Sequence, residues 1–410
     1  MKATTYFIVL FFIFQFNFIK AQNTTSNQYS LYGLGVENTN YFGGFNALGN
    51  TGTGYKSTLN INKSNPASLA FIPQNAFLYE IGLNGEYTNQ KNSNTKQSNN
   101  NFNFTHIAFA FPIKENWGVN VGLIPYSKVN YEIETLQYIE GNSNQYLTNI
   151  IGSGGVNELF IGTGYKLFKN FTIGAEVAAL FGNIEQEERI YVGNTETYFD
   201  RSKNYSGFNA KIGTQYQFKN KTIIGATVSF PSTLKGDQSV NGTKNIQSQE
   251  ISIISESDNN INHFELPLKL SFGFSTYIKS NLLLSADYKI NFWDNTDNGS
   301  NYSNQNIYGI GFEYKKSTNL ANYWNRVSYK MGYNYNSGFI SVSDKKIDTH
   351  NFSVGVGLPL SNKLEFSVLN ISYTYGREGT LEKNLIIDNY HKLSLNLSLV
   401  GNWFQKRKIF

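Results

Sequence analysis

The stretch KLSLNLSLVGNWF, from Lys392 to Phe404, decides the fold class. Leucines at positions 393, 395, 397 and 399 fall on one face of an extended chain, and small polar residues at 394, 396 and 398 fall on the other. This period of two is typical of a β-strand whose faces meet different surroundings. In a water-soluble sheet the leucines would point to a core. In a membrane barrel they would face lipid, and the serines would line the interior.

Composition and the N-terminus favour the barrel. Charged residues make up 15% of the chain, whereas about 25% is average. The absence of cysteine excludes disulfides and thiolate metal sites. The net charge of +5 comes from dispersed lysines and arginines, so nothing favours binding to nucleic acid. Residues 1–21 are interpreted as a secretory signal peptide, with an apolar stretch from Tyr6 to Ile19 and Ala21 before the predicted cleavage site.

About fourteen windows alternate like the C-terminal stretch, and their lengths suit tilted membrane strands of roughly 9–11 residues. The windows lie at 77–87, 102–113, 116–126, 156–168, 170–182, 206–218, 221–231, 264–278, 281–293, 305–315, 326–337, 348–360, 363–375 and 390–404. Short turns such as 113–116 alternate with long polar connections such as 127–155, 183–205 and 232–263. Such alternation is typical of bacterial outer-membrane barrels. We therefore predict an all-β, transmembrane antiparallel β-barrel of about 14 strands over residues 77–410, with both termini in the periplasm of a Gram-negative cell.

Aromatic residues near predicted strand ends are interpreted as a girdle at the membrane interfaces, although aromatic residues also favour strands in general. They are Phe111, Tyr126, Trp293, Tyr333, Tyr335, Tyr373, Tyr375, Trp403 and Phe404.

Residues 22–76 do not alternate and are rich in glycine. They lack the lysine pattern and the strand–loop–helix context of a phosphate-binding loop. Interleaved Leu, Phe and Tyr residues disfavour a flexible linker. A fourteen-stranded tube is too wide for its wall side chains to fill. We therefore predict that residues 22–76 form a hatch inside the lumen.

The segment ALGNTGTGYKSTLNINKSNPASLAFI, residues 47–72, resembles the N-terminal signature of the FadL family of outer-membrane transporters. The resemblance rests on Gly49, Gly52 and Gly54, followed by the tripeptide Asn65, Pro66 and Ala67. It implies a hatch and a barrel that takes up long-chain fatty acids or other hydrophobic small molecules passively, in contact with outer-membrane lipids. The Asn- and Lys-rich style resembles divergent Bacteroidota members, some of which, such as PorV, serve protein secretion. An accessory barrel that binds a partner protein is therefore the alternative.

The family resemblance also implies a lateral opening at a kinked third strand. The third predicted strand contains Pro125, and proline cannot donate a hydrogen bond to a β-ladder. Pro125 is therefore the candidate for the lateral opening, unless it only ends the strand at the external rim.

Residues for metal, cofactor or catalytic chemistry are not grouped in this sequence. The four histidines are scattered without the spacing of metal ligands. Asp348 and His350 could form an acid–base pair at the rim, but a solvated loop is the simpler interpretation. We predict a protein that is not an enzyme and needs no metal or cofactor, and a rim hydrolase stays the more distant alternative.

Overall fold

The computed structural model describes residues 27–38, 41–58, 60–139, 141, 145–219, 221–246, 249–316, 322–360 and 367–402. The predicted signal peptide at 1–21 lies outside these residues, as do Trp403 and Phe404. Among the described residues, no helix has both the length and the apolar character needed to cross a bilayer.

Fourteen antiparallel strands form one closed barrel, which confirms the predicted fold class. Eleven of them are continuous: Ala76–Lys91 (β1), Lys96–Lys114 (β2), Gln145–Phe168 (β4), Phe171–Val192 (β5), Thr195–Gln217 (β6), Leu282–Asn291 (β9), Gln305–Lys315 (β10), Ser328–Asn336 (β11), Thr349–Pro359 (β12), Val368–Gly379 (β13) and Ile387–Asn402 (β14). The other three run in two segments each: Trp117–Pro125 and Ser127–Tyr138 (β3), Ile223–Ser229 and Ser232–Ile246 (β7), and Gln249–Leu266 and Lys269–Lys279 (β8). Pairing of β14 with β1, from Asn402 opposite Ala76 to Ile387 opposite Lys91, closes the barrel.

The remaining elements are short. A two-residue strand, Val36–Glu37, precedes the barrel, and a small hairpin of Ser341–Val342 and Lys345–Lys346 lies between β11 and β12. One α-helical turn spans Tyr323–Arg326. The 3₁₀ helices are Gln28–Leu31, Phe45–Leu48, Pro66–Phe71, Trp293–Asn295 and Glu382–Asn384.

The leucines of β14 face outward. Leu393, Leu395 and Leu399 are 38–49% exposed, whereas Ser394 and Ser398 are at most 2% exposed. Other strands also place large apolar side chains on the outer surface: Ile81, Leu159, Ile161, Val177, Phe208, Ile212, Ile224, Phe272, Phe274, Ile310, Phe352 and Val354. An apolar surface of this extent suits contact with acyl chains.

The long external connections differ from the prediction. Residues 127–155, 183–205 and 232–263 are predicted as long connections, in which only Glu185–Val192 is predicted to continue a strand beyond the membrane, but most of these residues continue the strands into tall hairpins. Residues 193–194 alone separate β5 from β6. Above a membrane both faces of a hairpin meet water, so selection for alternation disappears there and the sequence pattern reveals little of the strands.

Only some residues of the predicted aromatic girdle lie on the outer face of the barrel. Tyr333, Tyr373 and Tyr375 are 41–43% exposed on the outer face. Trp293, however, is 2% exposed and stacks on Phe339 inside the barrel mouth. Tyr126 also points inward, where its hydroxyl donates to Glu37. Assigning these two residues to the girdle was therefore wrong, because an aromatic residue at a break or a strand end can turn into the lumen.

Candidate functional site

Residues 41–58 and 60–75, here called the luminal segment, pack against the inner wall of the barrel. At Gly49 the backbone has φ +63°, and a Cβ atom there would lie 2.4 Å from Tyr333 O on β11. At Gly54 a Cβ atom would lie 2.5 Å from Gly273 O on β8. These two motif glycines therefore allow the segment to touch the wall at both β11 and β8, an approach that larger residues would prevent.

The Asn-Pro-Ala motif forms the start of the helix Pro66–Phe71. Asn65 is its N-cap, and Asn65 Oδ1 accepts a hydrogen bond from Ala67 N at 3.0 Å. Asn65 Nδ2 donates to Thr53 O at 2.8 Å and to Thr214 O on β6 at 3.0 Å. Pro66 occupies the first turn, where a missing N–H costs nothing. One asparagine thus caps a helix, joins two parts of the luminal segment and ties both to the wall.

Glycines of the barrel wall complete this contact, and their role is not among the predictions from the sequence. A Cβ atom at Gly225 would lie 2.0 Å from Thr53 O, and one at Gly174 would lie 2.4 Å from Ala67 N. Similar close approaches occur at Gly118, Gly164, Gly213, Gly311 and Gly332. Glycine recurring on the inward face of successive strands was the available signal for a segment lying against them.

Asp287 on β9 fixes the glycine-rich turn of the luminal segment. Its Oδ2 accepts hydrogen bonds from Gly52 N at 2.9 Å, Thr53 N at 2.9 Å and Thr53 Oγ1 at 2.8 Å. The side chain is almost fully buried. A buried carboxylate is costly without partners, and here the luminal segment provides three of them. Asp287 therefore attaches the luminal segment to the barrel wall at the motif residue Gly52.

A buried group of charges around Lys63 is the second attachment of the luminal segment to the wall. Its Nζ lies 2.6 Å from Glu158 Oε1 and contacts Glu176 Oε1. Glu176 also binds Lys211 Nζ at 3.1 Å, and Lys211 donates to Lys63 O at 3.2 Å. Burial by itself would lower the pKa of Lys63, but the two carboxylates outweigh it and raise the pKa. Lys63 therefore stays charged and joins the segment to β4 and β5.

A chamber of about 810 Å³ lies beside the luminal segment, enclosed by the barrel wall. Its lining is rich in asparagine and in paired charges, but Phe104, Ile124 and Pro125 give it an apolar side. The helix Gln28–Leu31 crosses its far end, where Asn27 N donates to Asn130 O and Tyr29 hydroxyl donates to Ile386 O. The chamber can hold a molecule with both polar and apolar parts.

The third strand breaks beside the chamber. Pairing between β2 and β3 runs from Lys114 opposite Trp117 to Ile107 opposite Leu123 and then stops. Beyond Pro125 and Tyr126, the second segment of β3 pairs instead with Val36–Glu37. Asn38 holds the corner, because its Nδ2 donates to Pro125 O at 2.8 Å. The break therefore leaves residues 96–106 of β2 without a backbone partner from β3.

The rim pair considered from the sequence does form. His350 Nε2 lies 3.5 Å from Asp348 Oδ2, and His350 Nδ1 lies 2.7 Å from the Tyr333 hydroxyl. The side chains of His350 and Asp348 are 49% and 38% exposed. This exposed contact links neighbouring strands on the outside of the barrel, and none of the three side chains is part of the chamber lining.

Comparisons with known proteins agree with this architecture. A family model described as BamG matches residues 2–410. No curated protein sequence matches the chain. The fold is similar to that of the Pseudomonas putida toluene transporter TodX, with a TM-score of 0.63 and 17% identity over 90% of this chain and 100% of TodX.

Two further solved structures share the fold. The Ralstonia pickettii toluene transporter TbuX has a TM-score of 0.59 and 17% identity, covering 88% of this chain and 98% of TbuX. A Pseudomonas aeruginosa FadL homologue has a TM-score of 0.60 and 10% identity, covering 90% of this chain and 99% of the homologue. At these identities the likeness concerns the fold, and it confirms the fold that the resemblance to the FadL family implied.

Proposed function

This chain belongs to the BamG family, and we propose that it passes hydrophobic or amphipathic small molecules, long-chain fatty acids among them, between the bilayer and its lumen. The observation that carries the proposal is the break in β3, which lies next to the chamber. The fold shared with solved toluene transporters and a FadL homologue supports it. Pro125, the last residue before the break, is the proposed hinge of a lateral opening.

The same proposal assigns a role to residues 22–76 as a hatch. The luminal segment lies against the wall near the short turns, at Gly118 and Gly164 among other positions. In this proposal a ligand in the chamber leaves on that side only when the segment shifts. A ligand shifts such an equilibrium only if it binds the open state more tightly. The motif residues Gly49, Gly52, Gly54, Asn65, Pro66 and Ala67 would then hold the closed state.

We place the barrel in the outer membrane of a Gram-negative cell. β14 ends on the side of the short turns, which supports a periplasmic C-terminus. Asn27 instead lies beside Asn130 and near the β13–β14 connection, towards the opposite mouth. We therefore propose a periplasmic position for the C-terminal end alone.

Crosslinking across the break tests the transport proposal. The chain has no cysteine, so Asn101→Cys with Asn130→Cys gives a clean pair that flanks the break and lines the chamber. Joining the thiols with a cleavable bifunctional reagent should stop uptake of a radiolabelled long-chain fatty acid by cells that express the protein. Cleaving the reagent should restore uptake. Each single cysteine variant treated with the reagent is the control, and full uptake by the crosslinked pair would refute lateral passage.

A second candidate function, binding of a partner protein, is favoured by the free edge of β8. Residues 249–264 pair with β7 on one side, whereas β9 begins to pair with β8 only at Lys269. This edge carries Ile251 and Ile253, both 51% exposed. Exposed edges add strands from other chains. We propose that an extended segment with apolar residues spaced two apart, and basic residues opposite Glu250 and Glu256, pairs with this edge.

Purification from outer membranes without crosslinking tests the partner proposal. One protein should co-purify in near-equal amount with the unmodified chain and be lost from the double variant Ile251→Asn/Ile253→Asn. The control Val192→Asn changes an exposed residue at the tip of β5, which is paired on both sides along its length, and should retain the partner. Equal recovery of the partner with both variants would contradict docking at β8.

A further inference from the structure

One lysine spans the break in the barrel wall. Lys128 lies on the second segment of β3, and its Nζ donates to Asn103 Oδ1 at 2.7 Å and to Asn101 Oδ1 at 3.3 Å. Both asparagines belong to the part of β2 that has no backbone pairing with β3. These two side-chain hydrogen bonds therefore join the strands where the ladder does not.

The partners of Lys128 set it apart from the other lysines of the chamber. Six lysines line the chamber: Lys63, Lys128, Lys211, Lys269, Lys289 and Lys392. Five of them form an ion pair with a carboxylate. Lys128 forms none within the described part of the chain, and the nearby Glu86 is paired with Lys392 at 3.3 Å. Lys128 is thus a partly buried ammonium group held by neutral amide oxygens.

The surroundings of Lys128 divide into a polar and an apolar side. Phe104 and Ile124 also line the chamber, and Phe104, 40% exposed, follows directly on Asn103, which Lys128 contacts. An alkyl chain that enters from the bilayer can lie along these two side chains while its head group reaches Lys128. A carboxylate or phosphate would add the attraction of a full negative charge to the hydrogen bond from the Lys128 ammonium group, which the neutral amide oxygens of Asn101 and Asn103 do not provide. An anion can therefore displace the asparagines.

We propose that Lys128 is the binding site for the anionic head group, carboxylate or phosphate, of a single-chain amphipath. This binding releases the two hydrogen bonds from Lys128 to Asn101 and Asn103, here called the latch, which join β2 and β3. The proposal rests on lateral passage as the function of the barrel, and it names which molecules open the wall. Neutral compounds of the same chain length leave the bonds from Lys128 to Asn101 and Asn103 intact.

Binding of three ligands with one tail tests the proposal: laurate, lauryl phosphate and lauryl alcohol, each titrated into the full-length protein in detergent. In Lys128→Gln, affinity for the anions should fall by about tenfold to a hundredfold, the loss expected for a charge-assisted bond. Affinity for the alcohol should stay unchanged. Lys128→Arg should retain the anions, and Lys235→Gln, an exposed lysine on β7, is the matched control.

Each outcome separates the site from the transport function. If the unmodified protein binds neither the anions nor the alcohol, lateral passage of hydrophobic molecules fails and the latch fails with it. If all three ligands bind but Lys128→Gln weakens them equally or not at all, only the assignment of Lys128 is overturned. If one anion alone binds and Lys128→Gln abolishes its binding, the proposal holds and the head group is identified.

Discussion

Replacing Asp287 by alanine is expected to release the glycine-rich turn of the luminal segment. The change removes one acceptor that holds Gly52 N, Thr53 N and Thr53 Oγ1. Each buried donor left without a partner costs about 1–3 kcal/mol. The segment can recover this free energy only by moving to water, so its detached state should become populated while the β-ladder of β9 persists.

A single cysteine gives the measurement. In the cysteine-free chain, Ser57→Cys places a thiol at a position that is 4% exposed. Adding Asp287→Ala should raise the rate of labelling by a membrane-impermeant maleimide at least about tenfold, the change that corresponds to 1.4 kcal/mol. Asp237→Ala, at an exposed carboxylate on β7, is the control in the same background. Equal labelling rates in all three proteins would show that Asp287 does not hold the segment.

The barrel could be predicted from sequence because lipid imposes a simple pattern. Every strand that crosses the bilayer must alternate, as Leu393 to Leu399 do, and each of the fourteen predicted windows overlaps an observed strand. Where lipid is absent the pattern is lost. The outer segment of β8 contains Ile251, Ile253 and Ile254 in the stretch ISIIS, which follows neither a period of two nor a helical period.

The candidate site was harder to predict from the sequence, because its contacts join residues that are far apart in the chain. Asn65, Pro66 and Ala67 could be recognised as a motif, but the bond from Asn65 to Thr214 spans 149 positions. Pro125 could be singled out because the family resemblance implies a kinked third strand and because proline cannot donate to a β-ladder. In the sequence, Asp287 is only one of several polar residues on the inward face of a predicted strand. A carboxylate at an inward position of a membrane strand is nevertheless a useful warning, because such groups are costly without partners.

The buried charges of the lumen also explain how the luminal segment stays attached inside a wide barrel. The luminal segment has an apolar contact with the inner wall, where Phe42, Ile61, Leu69 and Ile72 pack in a buried cluster with Leu78 and Phe160. Polar contacts attach it as well: Asp287, the Lys63 group, and Glu80, whose Oε1 accepts a hydrogen bond from Ile61 N at 3.0 Å. The groups in these polar contacts can instead bind water or a ligand, so such contacts suit a segment that must shift.

Replacing Lys63 by methionine is expected to lower the free energy of unfolding by about 3–5 kcal/mol, the cost of breaking a buried ion pair by removing one partner. Lys63 Nζ lies 4.3 Å from the centre of the Phe160 ring, and methionine replaces this cation–π contact with an apolar contact of similar length. The loss therefore reports on charge, since Glu158 and Glu176 are left with Lys211 alone. Urea unfolding in detergent measures it.

Two further variants separate charge from packing at Lys63. In the double variant Lys63→Met/Glu158→Gln, the charges are balanced again, with Glu176 paired to Lys211 at 3.1 Å. A substantial part of the lost stability should return. Lys56→Met is the control, because Lys56 Nζ contacts only Gln217 Oε1, at 3.4 Å, among the polar partners in the described chain. If Lys63→Met costs no more than Lys56→Met, or if Glu158→Gln brings no recovery, the group around Lys63 does not anchor the luminal segment by its charge.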